Sequence, residues 1–413
     1  MLFAAGLALS ACGGGGSSSG AGVGTSSSSG VSSSSSSSGA SSSSGGAHVF
    51  SLSSPNVVAL TVGPGTSAFQ NIPTTSVTVC IPNTNTCTPI ANVLVDTGSV
   101  GLRLMASVVG KLALPMQTDP SGNAIEECLP FADGFTWGPV AMADVIMGGE
   151  KASNVPINIL DDNNSLPSAP TSCNNGTALS NVDNLGANGV LGVGSFAQDC
   201  GPGCNIWYYA CTASTCTATD EPLNSQVANP VALFVADNNG VILQLPAIPD
   251  AGQATDTGFL VFGIGTEANN GLGDATVLTA DPNEATITTK FNGQTLSGFL
   301  DSGSNGLFFA DSIPPCKGFM NADQFYCPPS PLPLTATNQG QNGVTAAAPF
   351  TITDITMLSP SNFAIDDIGG PAAVIPSLGP TFDFGLPFFY GRTVFTAIEN
   401  LPADGTMGPY FAY

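Results

Sequence analysis

One short pattern occurs twice in this chain, as VDTGSVGLRL from Val95 to Leu104 and as LDSGSNGLFF from Leu300 to Phe309. Both copies read apolar, Asp, Thr or Ser, Gly, Ser, one variable residue, Gly, Leu. Each follows an apolar run that predicts a strand, Val93–Val95 before Asp96 and Phe299–Leu300 before Asp301. A strand that ends in a carboxylate and a glycine-bearing turn can aim that carboxylate into a cleft. Two such turns half a chain apart ask for two similar units that face one another, and 413 residues are more than one core fills.

Charge removes one class of function. Asp and Glu number 29 against 6 Lys and Arg, a formal net charge of -23, whereas binding to phosphate backbones needs clustered Lys and Arg, so no nucleic acid partner is expected. Gly 50 and Pro 32, with abundant Thr, Val and Ser, favour short strands joined by tight turns, and the predicted fold class is all-β. The single histidine, His48, rules out a Ser-His-Asp triad, a Cys-His pair and an HExxH zinc site. None of Lys111, Lys151, Lys290 and Lys317 lies in a phosphate-cradling GxxxxGKS loop. Carboxylates, hydroxyls and thiols are left to carry any chemistry, and no cofactor or metal is expected.

The N-terminus reads as an export signal. Leu2–Ala11 is a short apolar run ending in Leu9-Ser10-Ala11-Cys12, which resembles the bacterial lipobox, where the signal is cut before a cysteine that becomes lipidated. No Lys or Arg precedes the run. Gly13 follows Cys12 where Asp would retain a lipoprotein at the inner membrane, so by the same resemblance the outer membrane of a bacterial envelope is implied, facing the periplasm or the surface. Residues 13–47 are almost entirely Ser and Gly and are expected to form a disordered tether. No later stretch is long and apolar enough to span a bilayer, so the N-terminal lipid is the expected membrane contact.

Setting Cys12 aside, ten of the eleven cysteines remain, an even number that in an exported chain suggests up to five disulfides. Cys80 and Cys87 flank a turn-like Ile81–Thr86 segment, and Cys316 and Cys327 are placed to close a loop after the second motif. Cys200, Cys204, Cys211 and Cys216 form a dense cluster able to pair internally, leaving Cys128 for Cys173. Spacing alone leaves the connectivity open. The cluster's CxxxC look also fits a metal, but export and the missing histidines favour disulfides.

The expected organisation is a signal over 1–12, the tether over 13–47, a first lobe over 48–240 and a second over 241–413. Strands are predicted near Val57–Val62 and Ser76–Cys80. Phe131–Gly138 and the alternating Val140–Met147 before Gly148-Gly149 read together as a hairpin with an aromatic tip. Val190–Gly194 is a strand running into glycine, and Leu260–Gly265 opens the second half. Phe382–Phe389 and Thr393–Thr396 come near its end. Gly192 and Gly385 follow their acids at similar distances along the chain, an approximate internal duplication.

With these residues in view, the chain resembles the pepsin-like aspartic protease family. Asp-Thr-Gly-Ser at 96–99 and Asp-Ser-Gly-Ser at 301–304 stand in the places of that family's two catalytic loops. FDFGLPFFYGRTVFTAIEN, Phe382–Asn400, is similar to its closing apolar-Gly element and strand, and GFLVFGIG, Gly258–Gly265, to the strand that opens its second lobe. The similarity runs in order from about Ala59 to Tyr413. A third copy of the three letters, Asp256-Thr257-Gly258, lacks the apolar lead and the following Ser, and reads as a turn before a strand.

The resemblance implies a bilobal fold with a cleft, Asp96 and Asp301 as the catalytic pair, and a monomer acting on peptide or protein substrate. It implies that Thr97 and Ser302 brace the two loops through hydroxyl to main-chain hydrogen bonds. Ser99 and Ser304 would bind the outer carboxylate oxygens, and Gly98 and Gly303 would let backbone amides approach the acids. The family's flap tyrosine is missing, and Phe131, Phe135 and Trp137 are the flap candidates. Arg103 stands where the family often has an aromatic residue, either near enough to depress an acid's pKa or pointing to solvent.

Two carboxylates within hydrogen-bond reach share a proton, because ionising both is costly. The ionised member takes a proton from an attacking water and the protonated one donates to the amide carbonyl, with no covalent intermediate. An aspartic endopeptidase is the expected function. Two alternatives remain: a catalytically silent protein of the same fold that binds peptide, and a structural or adhesive surface lipoprotein, for which carboxylates more than about 6 Å apart would be diagnostic.

Overall fold

The computed structural model describes residues 48–132, 134–173, 176–317, 324–372, 375 and 378–413. The signal, Cys12 and the Ser/Gly tether lie outside the described residues. The fold is all-β, with 44% strand and 6% helix, and its sheets are barrel-like.

The first half holds β1 (Val57–Gly63), β2 (Ile72–Cys80), β3 (Cys87–Asp96), β4 (Val100–Met105), β5 (Ala124–Pro130), β6 (Gly134–Met147), β7 (Glu150–Leu160), β8 (Thr177–Ala178), β9 (Gly189–Val193), β10 (Tyr208–Cys211) and β11 (Cys216–Ala218). The second half holds β12 (Gly240–Leu245), β13 (Asp256–Phe262), β14 (Val277–Thr279), β15 (Ile287–Phe291), β16 (Gln294–Leu300), β17 (Leu307–Phe309), β18 (Leu332–Gln339) and β19 (Thr345–Ile352). It ends with β20 (Gly369–Gly370), β21 (Thr381–Phe384), β22 (Arg392–Ala397), β23 (Pro402–Ala403), β24 (Thr406–Met407) and β25 (Tyr410–Ala412).

A large sheet contains β1 to β11 and continues through the β1–β13 pairing into β12, β22, β25 and β14. A 7-stranded sheet in the order β19-β18-β15-β16-β21-β17-β20 carries Asp301 at the end of β16. One apolar cluster runs from Leu60 and Val77 to Phe384 and Phe411, so both halves share a continuous core. In β21 the side chains of Phe382 and Phe384 lie on one face, stacked at 4.2 Å, with Phe309 against Phe382 at 4.9 Å. The period of two residues sends Asp383 to the opposite face.

The hairpin with an aromatic tip is present, but its arms differ from those read in the sequence. Residues 134–147 form one strand, β6, paired to β5 through Pro130↔Phe135 and Glu126↔Pro139 and to β7 beyond. Phe131 sits in the turn, with its N–H donating to Gly134 O at 2.7 Å. The Asp256-Thr257-Gly258 triplet is also corrected: it lies inside β13, paired with β1 on one side, and not in a turn before it. The cysteines form five disulfides, Cys80–Cys87, Cys128–Cys173, Cys200–Cys204, Cys211–Cys216 and Cys316–Cys327.

Candidate active site

The two acid motifs are wired alike. β3 enters Asp96 parallel to β9 and β4 leaves antiparallel to the same β9, with Asp96 opposite Gly192. In the second half β16 runs parallel to β21 and β17 antiparallel to it, with Leu300 opposite Phe384. Each carboxylate-bearing turn is therefore threaded around one later strand. Gly192 and Gly385 are required there by close approach: a Cβ would lie 2.6 Å from Val100 N at the first and 2.1 Å from Gly306 O at the second.

Four hydrogen bonds cross between the turns. Thr97 Oγ1 donates to Leu300 O at 2.9 Å and accepts from Ser302 N at 2.9 Å. Ser302 Oγ donates to Val95 O at 2.8 Å and accepts from Thr97 N at 3.1 Å. Each hydroxyl thus satisfies two main-chain groups of the opposite half, in a region where an unpaired polar group is costly.

The carboxyl groups of Asp96 and Asp301 are fully buried and hydrogen-bonded to each other. Asp96 accepts from Gly98 N at 2.8 Å and Ser99 Oγ at 2.5 Å. Asp301 accepts from Gly303 N at 2.8 Å, Ser304 N at 3.2 Å and Ser304 Oγ at 3.0 Å. Gly98 is needed because its missing side chain is where Asp301 sits, a Cβ falling 2.4 Å from Asp301 Cγ. Burial pushes both carboxyls above the ordinary range. Hydrogen bonds from Asp301 and Ser99 hold Asp96 back, while the charges of Asp96 and Asp383 drive Asp301 well up. The two acids therefore titrate as one coupled pair that shares a proton.

A third acid belongs to the site. Asp383, 5% exposed, accepts a 2.5 Å hydrogen bond from Ser304 Oγ, the same hydroxyl that reaches Asp301. In the sequence it is one polar letter in the apolar run FDFG, and its alternation with Phe382 and Phe384 was the only available signal.

The flap candidates are all buried. Phe131 packs in a cluster with Ile72, Leu94 and Val190, whereas Phe135 and Trp137 pack with Cys128, Cys173 and Tyr209. The hairpin that carries them is braced on its outer edge, where β10 pairs with β5 and the Cys128–Cys173 disulfide ties it to the following loop. Arg103 neither touches the acid pair nor meets solvent. It is fully buried and bonds Glu127 Oε1 at 2.5 Å and Asp199 Oδ2 at 2.8 Å, and Tyr208 donates to Asp199 Oδ1 at 2.8 Å. This clamp joins the strand leaving Asp96 to the hairpin and to the segment that follows β9. Sequence reading missed Glu127, Asp199 and Tyr208, which carry no motif.

The one grouping of potential metal ligands among the described residues, Cys316, Cys327 and Asp354, contains a disulfide, and a disulfide's sulfurs are not thiolate ligands. Among the described residues no helix is long and apolar enough to cross a membrane. No curated protein is detectably similar to the chain. A family model described as a protein of unknown function matches residues 52–413, and the chain belongs to this family, DUF3443.

Proposed function

We propose that this protein is an aspartic endopeptidase of the pepsin-like, bilobal type, held in the bacterial envelope by lipid on Cys12. One observation carries the reading: two buried carboxyls, hydrogen-bonded to each other, sit on turns that are locked together by the reciprocal Thr97 and Ser302 hydroxyls. Such a pair holds one proton and one charge at mildly acidic pH. The ionised member takes a proton from water as it attacks a peptide carbonyl, and the protonated member donates to the carbonyl oxygen. In this reading the β5–β6 hairpin is the flap, with Phe131 at its tip. The side-chain amide of Asn305, next to the second acid loop, is fully buried and without a hydrogen-bond partner.

A silent peptide-binding protein of the same fold is favoured by a different observation: both carboxyls are fully shielded and the hairpin is braced by β10. Purified protein incubated with a denatured protein from about pH 3 to about pH 7, with and without pepstatin, separates the two. The peptidase reading expects pepstatin-sensitive cleavage that is lost in both Asp96→Asn and Asp301→Asn. Cleavage that persists in either variant would sink it, and binding without cleavage in the unmodified protein favours the silent form.

A further inference from the structure

The Ser304 hydroxyl has one proton and two carboxylate neighbours, Asp383 Oδ2 at 2.5 Å and Asp301 Oδ2 at 3.0 Å. It can donate to only one of them. The other contact is a hydrogen bond only if that acid carries a proton and donates to Ser304 Oγ. The Asp96–Asp301 contact requires a carboxylic proton for the same reason. Three buried acids therefore share two protons and a single negative charge.

The surroundings of Asp383 support a proton on it. Its Oδ1 has no hydrogen-bond partner. The strands on either side, β16 and β17, place Phe299 and Phe308 opposite it in register. The charged groups that face it are Asp301 from the second acid loop and Asp96 from the first, and no basic side chain is among the groups acting on it. Burial, the largest influence, pushes its carboxyl well above the ordinary range. An ionised Asp383 would be a buried charge with one donor, which is the costly arrangement.

We propose that Asp383 and Ser304 form a proton relay to Asp301, so that the acid pair is part of a three-carboxyl cluster with an internal proton store. In the relay, the O–H bond at Asp383 Oδ2 breaks as one forms at Ser304 Oγ. The original Ser304 O–H bond breaks as one forms at Asp301 Oδ2. Asp383 ends as carboxylate and Asp301 as acid, with the hydroxyl restored and no outside reactant consumed. Asp383 does not reach the reacting atoms and is a positioning residue. As a feature of catalysis the relay rests on the peptidase reading, whereas as a proton equilibrium it does not.

The test is therefore a titration. Protein labelled with 13C at the aspartate carboxyls is followed by NMR against pH, with Asp301→Asn and Asp383→Asn assigning the signals. Asp301 is already coupled to Asp96, and the relay expects it to show a further titration step contributed by Asp383, separated from the others by about one pH unit or more, a tenfold difference in proton distribution. Asp383→Asn should remove that step and leave the splitting due to Asp96. Ser304→Ala should uncouple the two acids and Ser304→Thr should restore the coupling, which gives a second route if Asp383→Asn does not fold. An Asp301 curve that is the same in unmodified and Asp383→Asn protein overturns the relay, whether or not the protein cuts peptides. Coupled titration in a protein that cleaves nothing supports the relay and counts against the peptidase reading alone.

Discussion

Thr97→Val is the most direct test of the bridge between the two acid turns. Valine matches threonine in shape and removes only the hydroxyl, which gives to Leu300 O and takes from Ser302 N. Both main-chain groups are then left unpaired inside the protein, where each costs about 1–3 kcal/mol, so a loss of about 2–5 kcal/mol is expected. Thr97→Ser keeps the hydroxyl and should stay within about 1 kcal/mol of the unmodified protein. Ser302→Ala strips the partner hydroxyl from Val95 O and Thr97 N. Once one hydroxyl is gone the turns can separate, so the double variant should cost about 1–3 kcal/mol less than the sum. Urea unfolding with disulfides intact measures this. Circular dichroism follows the whole chain, and the fluorescence of the buried Trp137 and Trp207 follows the first half. A Thr97→Val protein within about 0.5 kcal/mol of the original, with an unchanged pH profile of activity, would refute the view that these hydroxyls hold the acids together.

Gly98→Ala places a methyl carbon 2.4 Å from Asp301 Cγ and should separate the carboxyls, reducing peptide cleavage by about 100-fold or more while circular dichroism stays native. Glu126 is buried, and that burial, with the charge of Asp161, pushes its carboxyl up to about 7 from 4.5. A raised carboxyl makes the folded state lose stability as pH rises from about 4.5 through about 7, by at most about 3 kcal/mol for this group. Glu126→Gln should therefore flatten the fall in melting temperature between about pH 5 and about pH 8, and an equally steep fall in the variant would contradict the assignment. Arg103→Leu leaves Glu127 and Asp199 buried without their cation and should destabilise by about 3–5 kcal/mol at neutral pH. Acidification should recover part of this, because burial and the Glu127 charge already hold Asp199 well above the ordinary range and its protonation removes the repulsion. Melting curves at two pH values read out both effects.

The acid turns were legible because their chemistry is local. A strand, an acid and a glycine turn are written in adjacent letters, and the flanks that set Asp96 and Asp301 apart from Asp256 are local too. The scarcity of histidine is likewise a property of the letters, and it excluded most other catalytic chemistry without any geometry. Short spacing suggested Cys80 with Cys87 and Cys316 with Cys327, but the connectivity of the other cysteines was left open until the fold brought Cys128 to Cys173, Cys200 to Cys204 and Cys211 to Cys216. The arms of the β5–β6 hairpin were misplaced because β6 is buried over nearly its whole length, Thr136 and Asp144 included. It pairs with β5 over its first part and with β7 over the rest, and nothing in the letters marks where the first pairing ends.

What the sequence by itself determined is the chemical inventory and the two turns: all-β, carboxylate-based, with Asp96 and Asp301 presented alike. Only the tertiary structure decided what surrounds them. Asp383 reaches Ser304 from 79 positions away, and Arg103 meets Asp199 from 96 away. Neither contact leaves a local pattern, because any strand can bring any residue to a given point and the chain records only the order of its letters. The state of the acid pair is set there as well. Its proton count follows from burial, from the Ser304 bridge and from a third carboxyl, all of which are consequences of packing.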